Sequence, residues 1–232
     1  MGSAVNVRRW MPLVAGVLLA LVCVRLGMWQ LDRAAFKREL HARITANEAV
    51  RAAENAASLA TWQRVQLRGS WVSGQTVFLD NRSYQHQPGY EVLSLLQLDN
   101  AGGLVMVNRG WVKAGAQRTQ LPDVAQPDGL VTLIGRVREP DLTSFRLDDG
   151  RDPGKIWQRA DPGLFAGRLG KPVAPYVIQQ ESDAADGLVR DWPRHENEAY
   201  KHQAYALQWF AFACLSAGLS GWFAWRRPRS NR

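Results

Sequence analysis

Two long apolar segments near the ends of a 232-residue chain, with arginines outside both, predict a membrane protein. The expected architecture is two transmembrane α-helices flanking a mainly antiparallel β, barrel-like extracytoplasmic domain. The placement of charge supports it. Formal net charge is +8, but Arg8 and Arg9 precede the first apolar segment, Arg25 lies inside it, and Arg226, Arg227, Arg229 and Arg232 follow the last one. Between Gln30 and Ala204 the chain carries 22 basic and 21 acidic residues. A central part so balanced lacks the basic face of a nucleic-acid-binding protein, so no nucleic-acid partner is expected. The pI of about 10 is read as a topology signal.

Taken in order, residues 1–9 are a cytoplasmic tail and residues 10–29 the first span. Trp10 to Val24 is an apolar run of fifteen residues, resumed after Arg25 by Leu26, Gly27, Met28 and Trp29. Arg25 can snorkel toward the headgroups while Trp29 sits in the interfacial belt. No small-x-small cleavage site follows, which predicts an uncleaved anchor. Residues 30–60 should prolong this helix as a stalk, because Leu31 to Leu59 is rich in Ala, Arg and Glu and lacks Gly and Pro.

From Thr61 the pattern changes, and residues 61–182 read as the β domain. Short runs rich in Val, Leu and Trp alternate with turn residues: Gln63 to Leu67, Thr76 to Leu79, Glu91 to Leu98, Leu104 to Val107, Leu130 to Arg138 and Tyr176 to Gln179. Asn100-Ala-Gly-Gly between two of them predicts a hairpin. Pro162 to Leu169 predicts a short helix capped by Asp161. Residues 183–204 follow as a polar linker, 205–225 as the second span and 226–232 as a cytoplasmic tail. Ala206, Ala213, Ser216 and Ser220 share a small-residue stripe on the second helix, and Gly16 and Ala20 give the first a similar surface, so the two should pack on each other. With both termini cytoplasmic and no Ser- and Arg-rich leader, the simplest setting is a bacterial inner (plasma) membrane with a periplasmic central domain.

No catalytic constellation is visible. The sequence has no Gly-rich phosphate loop, HExxH, nucleophile elbow or paired-cysteine site, so no enzyme activity and no catalytic residue is expected. Cys23 and Cys214 both lie in the apolar segments, and Met106 alone represents Met in the outward domain, which leaves no basis for copper binding. His41, His86 and His195 stand without companions at ligand spacing, and Asp148, Asp149 and Asp152 lack calcium-loop spacing.

Several unusual strings nevertheless recur in order along the chain. Gly27-Met-Trp-Gln-Leu-Asp-Arg33, followed by Lys37, stands at the exit of the first helix. Gly69-Ser-Trp71, Leu79-Asp-Asn-Arg82, Pro88-Gly-Tyr-Glu-Val-Leu93 and Val107-Asn-Arg-Gly-Trp-Val112 follow, then Gly135, Pro140 and Trp157, and His202-Gln-Ala-Tyr-Ala-Leu-Gln-Trp209 opens the second helix. In these strings the sequence resembles the Surfeit-locus-1 family of cytochrome c oxidase biogenesis proteins. Gln203 departs from the Leu or small apolar residue more often found there. The resemblance implies an assembly factor that holds heme a and assists its insertion into the heme-bearing catalytic subunit of the oxidase, with that subunit, heme a synthase and the lipid bilayer as partners. The alternative is a non-heme membrane scaffold that stabilises an oxidase assembly intermediate.

Such a site needs an axial ligand, apolar walls and cations for the propionates. Under the resemblance, His202 is the candidate ligand to heme iron, Trp29 and Trp209 the walls and Arg25 or Arg33 the cation; the alternative is that His202 is an interfacial cap residue, Arg25 snorkels alone and the tryptophans are belt anchors. Gln30, Arg82, Asn108, Arg109, Gly110, Trp111 and Tyr205 complete the motifs. Arg109 has two readings: presented to a partner or propionate, or paired internally to shape the sheet. Arg82 shares that ambiguity.

Overall fold

The computed structural model describes residues 7–56, 59–99, 102–115, 120–140, 142, 154–193 and 198–226, with side chains from Trp10 onward. Asp148, Asp149, Asp152 and His195, the hairpin tip Asn100-Ala101, the side chains of Arg8 and Arg9, and Arg227, Arg229 and Arg232 lie outside the described residues. The chain divides into a helical unit, Met1–Arg43 with Arg194–Arg232, and a sheet unit, Ile44–Pro193.

The helical unit is built from α1 (Val7–Ala46) and α3 (Ala199–Trp225). Both are long and apolar enough to cross a membrane. Their apolar side chains point outward: Leu18, Leu21, Val22, Leu207, Leu215 and Leu219 are all exposed. Small residues lie between the helices instead, with Cys23, Ala34, Ala206, Ala213, Ser216 and Ser220 buried. The predicted stripe on the second helix is therefore its packing face. Gly16 meets Ser216 and Ser220, and Gly27 meets the Phe210 ring, so positions rising along α1 meet positions falling along α3 and the helices run antiparallel. The Ser216 hydroxyl donates to the Gly16 carbonyl at 2.8 Å, a bond that only a side-chain-free backbone approach allows.

In the sheet unit the expected stalk gives way early. The helix ends at Ala46, and residues 47–56, expected to continue it, turn onto the sheet. Asn47 N donates to Ile44 O and Glu48 N to Thr45 O, tightening the last turn. Strand β1 (Arg51–Ala52) then pairs parallel with Val65 and Gln66. Ala56 is buried, and its carbonyl accepts the Tyr176 hydroxyl. Alanine favours helix only in the absence of better contacts, and here its small side chain lets the backbone lie against a core.

Among the described residues seven strands form one sheet. After β1 come β2 (Arg64–Tyr84), β3 (Gln87–Leu98), β4 (Leu104–Lys113), β5 (Leu130–Arg138), β6 (Ile156–Trp157) and β7 (Val173–Gln180), with α2 (Pro162–Leu169) before β7. The pairs β2–β3, β3–β4, β2–β5 and β5–β7 are antiparallel, while β4–β7 is parallel, so these pairings return on themselves. β2 joins two expected strands into one of 21 residues, interrupted by register shifts between Trp71 and Thr76 and between Leu79 and Arg82. The β2–β3 turn, Gln85-His86, has positive φ at both residues, the mirror-image geometry that hairpins favour.

β3 and β4 are covered on both faces. One core holds Val65, Leu67, Leu96, Val105, Val107 and Ile178; the other holds Leu79, Leu93, Leu95, Met106, Trp157 and Phe165. Phe165 of α2 packs on Trp157 with ring centroids 4.7 Å apart. The helix forms as predicted: the Asp161 side chain accepts from Gly163 N at 2.9 Å, Pro162 begins it and Gly170 ends it with φ +60°. The segment expected as a linker is instead packed as far as Trp192. Val189 and Trp111 exchange two backbone bonds at 2.8 Å, Leu188 is buried, and the Trp192 indole donates to Gln180 O at 2.6 Å.

Candidate functional site

The motif residues fall into two groups, one in each unit. In the sheet unit the string Asn108-Arg109-Gly110-Trp111 occupies a bulge. Val92 pairs with Gly110 and Leu93 with Asn108, so Arg109 is the extra residue between them. Gly110 takes φ +141°, and a Cβ there would stand 2.8 Å from Val189 O, so the close approach of the 182–193 segment requires glycine. The bulge turns Arg109 inward, where its side chain is 1% exposed. Its Nη2 donates to Asp186 Oδ2 at 2.9 Å and to Ala125 O at 2.6 Å, and Arg190 donates to the same carboxylate oxygen at 2.6 Å. The Trp71 ring lies 4.9 Å from the guanidinium, facing a group whose Nε and Nη1 have no hydrogen-bond partner among the described residues. Burial pushes the Arg109 pKa down, and the hydrogen bond to Asp186 works against that shift. Of its two readings, the geometry shows the internal pair.

The neighbouring motif residues are used in the same way. Asn108 donates to Glu91 Oε2 at 2.6 Å, and Arg82 stands 3.7 Å from the other oxygen of that carboxylate. The Trp111 indole donates to Arg82 O at 3.0 Å, and its ring meets Tyr84 at 5.4 Å. These residues hold β2, β3, β4 and the 182–193 segment together. Sequence reasoning missed Asp186 and Arg190 and did not pair Glu91 with Asn108, because partners 77 and 17 residues apart leave no local pattern.

In the helical unit two of the expected residues, not foreseen as a pair, converge. His202, in the first turn of α3, and Gln30 on α1 are 172 residues apart in sequence, and the imidazole Nδ1 lies 2.7 Å from the Gln30 side-chain oxygen. With its oxygen facing the ring the Gln30 amide can only accept, so this contact suits the imidazole tautomer that carries its proton on Nδ1. That leaves the Nε2 lone pair unengaged by Gln30. Both residues are half-buried, on the seam that continues through Gly27, Cys23 and Gly16. Glu198 and Lys201 pair beside His202 at 2.5 Å, and Lys201, with a smaller contribution from Lys37, holds the Glu198 carboxyl below its usual range.

The other expected site residues are placed differently. At 100° per residue, Arg25 and Trp29 fall on the side of α1 away from the Cys23, Gly27, Gln30 and Ala34 seam, with Arg33 at its flank. All three are exposed, and the Arg33 guanidinium lies 5.8 Å from the Phe36 ring. Trp209 is half-buried, with its ring 6.1 Å from Phe212, and Tyr205 is exposed. The structure thus brings together His202 and Gln30, and leaves Arg25 and Trp29 off that seam. Among the described residues no three His, Cys, Asp or Glu side chains gather as a metal site.

A family model described as the SURF1 family matches residues 17–214, from the seam of α1 through the sheet unit and into α3. The chain belongs to the SURF1 family. A SURF1-like protein of Monosiga brevicollis is 23% identical over 224 residues, covering 89% of this chain and 84% of that relative. The SURF1 family is known generally for cytochrome oxidase assembly, as assembly factors rather than enzymes. The SURF1 match includes Gln30 and His202, Asn108 to Trp111 and the whole sheet.

Of the residues in this contact, His202 would hold a heme iron through a ring nitrogen. An imidazole in the Nδ1–H tautomer would offer Nε2 as its lone-pair donor, a chemistry that fits heme iron.

Proposed function

We propose that this protein is a cytochrome c oxidase assembly factor that holds heme a and assists its insertion into the catalytic subunit of the oxidase. The observation that carries the reading is the His202–Gln30 contact across the two helices, in which one imidazole nitrogen faces the amide oxygen and the other is not engaged by it. His202 would hold the iron. Trp209, on the same helix, would contribute to the apolar wall. Arg33 and Lys37 would meet the propionates more readily than Arg25, because Arg33 flanks the seam and Lys37, half-buried, lies along it. Trp29, facing away from the seam, serves better as an interfacial anchor. When bound, heme a supplies a redox-active iron that the assembled oxidase uses; the chain itself only binds, orients and releases it.

The two helices would anchor the protein in a bacterial inner membrane with both termini cytoplasmic, following Arg8, Arg9, Arg226, Arg227, Arg229 and Arg232. The sheet unit, with its closed ring of pairings, would then be a barrel-like periplasmic body beside the oxidase subunit. The test is an optical spectrum of detergent-purified protein co-expressed with a heme a synthesis system, as wild type and His202→Ala. A heme a band that is lost or shifted in the variant supports the carrier. No heme in either sample, with oxidase maturation still dependent on the protein, overturns it in favour of a scaffold.

A further inference from the structure

The contact between the helices also bears on how a ligand is held. In free histidine the proton resides mainly on Nε2, so an unassisted imidazole at position 202 would spend most of its time with its outward nitrogen capped by hydrogen. The Gln30 side-chain oxygen lies 2.7 Å from Nδ1, a place where it can accept only from an Nδ1–H and so favours the other tautomer. The acceptor comes from the opposite helix, and Gly27, one turn earlier on α1, lets the Phe210 ring of α3 come so close that an added Cβ would stand 2.7 Å from it. Ala34, fully buried one turn later, keeps the same face closed. Small residues on either side thus bring the two backbones near enough for a glutamine side chain to reach the ring.

We infer that Gln30 is a positioning residue for His202: it sets the Nδ1–H tautomer before any ligand arrives and makes Nε2 the coordinating atom. This rests on the reading of the site as a heme holder. The acceptor is a neutral amide, whereas metal-bound histidines often carry a carboxylate in that place, which raises their basicity. An amide orients the ring without strengthening the donor, a combination suited to cargo that must be handed on. The nearby carboxylate, Glu198, pairs with Lys201 at 2.5 Å.

The test needs two readouts on the full chain in detergent micelles. Nitrogen NMR of histidine-labelled apo protein should show His202 as the Nδ1–H tautomer in wild type and mainly as Nε2–H in Gln30→Leu. Titration with ferric protoporphyrin IX should give binding weakened 10- to 100-fold in Gln30→Leu, abolished axial ligation in His202→Ala, and tighter binding with a lower reduction potential in Gln30→Glu. An Nε2–H tautomer in wild type, or a Gln30→Leu variant with unchanged tautomer and unchanged affinity, overturns the inference. If the tautomers behave as expected but no sample binds the porphyrin, Gln30 keeps its positioning role and the heme reading beneath it falls.

Discussion

At the scale of single residues, the buried Arg109, Asp186 and Arg190 side chains form a cluster of two cations on one carboxylate. Removing the shared anion strands both guanidinium groups, which costs far more than removing one of them. Asp186→Ala should destabilise the sheet unit by about 3–5 kcal/mol, read as faster hydrogen exchange along β4. Arg190→Ala, which leaves a balanced Arg109–Asp186 pair, should cost less; equal effects would mean that the cluster is not coupled. A second residue carries a pH dependence. Burial pushes the Tyr176 phenol from 10.0 up to about 12. The folded chain holds that proton more tightly than the unfolded one, so the stabilisation is complete below about pH 10 and lost as pH rises from there through 12, on the order of 2–3 kcal/mol. Tyr176→Phe should flatten this alkaline loss of stability in a urea titration; an unchanged pH profile would show that Tyr176 ionises as freely as in the unfolded chain. The types of these residues could be read from the sequence, but not their partners.

At the scale of elements, the helix pair depends on glycine and serine. A Cβ on Gly16 would stand 1.9 Å from Ser220 Oγ, the hydroxyl that donates to Ser216 O at 2.7 Å. Gly16→Ala should therefore weaken helix pairing, and Ser220→Ala, by removing that oxygen, should restore part of it; an inter-helix distance measured by spin labels on α1 and α3 checks this, and a double variant no better than the single one counts against the contact. The stripe was legible because a period of 3.6 residues gathers small side chains on one face wherever they are. The end of α1 was not, since nothing in Thr45-Ala-Asn-Glu48 forbids helix; β1 pairing and the burial of Ala56 decide it. The Gln85-His86 turn escaped for the opposite reason, as neither residue carries the usual Asn or Gly signal for positive φ. The β2–β3 register imposes it.

For the whole molecule, the two units hold different parts of the family motif. Asn108 to Trp111 and Arg82 are engaged within the sheet unit, whereas Gln30 and His202 meet in the helical unit. His202→Ala should accordingly leave the amount of protein in the membrane and the exchange protection of the sheet unchanged while lowering the heme a content of the assembled oxidase. Quantitative blotting with a heme a spectrum of the membranes checks both arms. A fall in the protein itself would assign His202 to stability instead. Asp186→Ala should show the reverse pattern, losing protein and oxidase together.

The amino-acid sequence by itself determined the two apolar helices, the small-residue stripe, the alternation that makes strands, the capped helix at Pro162 and the family, because each is written in local periodicity, local backbone preference or short strings in order. Only the tertiary structure decided that Arg109 points inward, that residues 182–193 close onto β4, that Arg25 and Trp29 leave the seam, and that Gln30 holds His202. Those outcomes depend on which distant groups a bulge, a parallel β4–β7 pairing and an antiparallel helix crossing bring within hydrogen-bond reach, and sequence spacing carries no record of such distances.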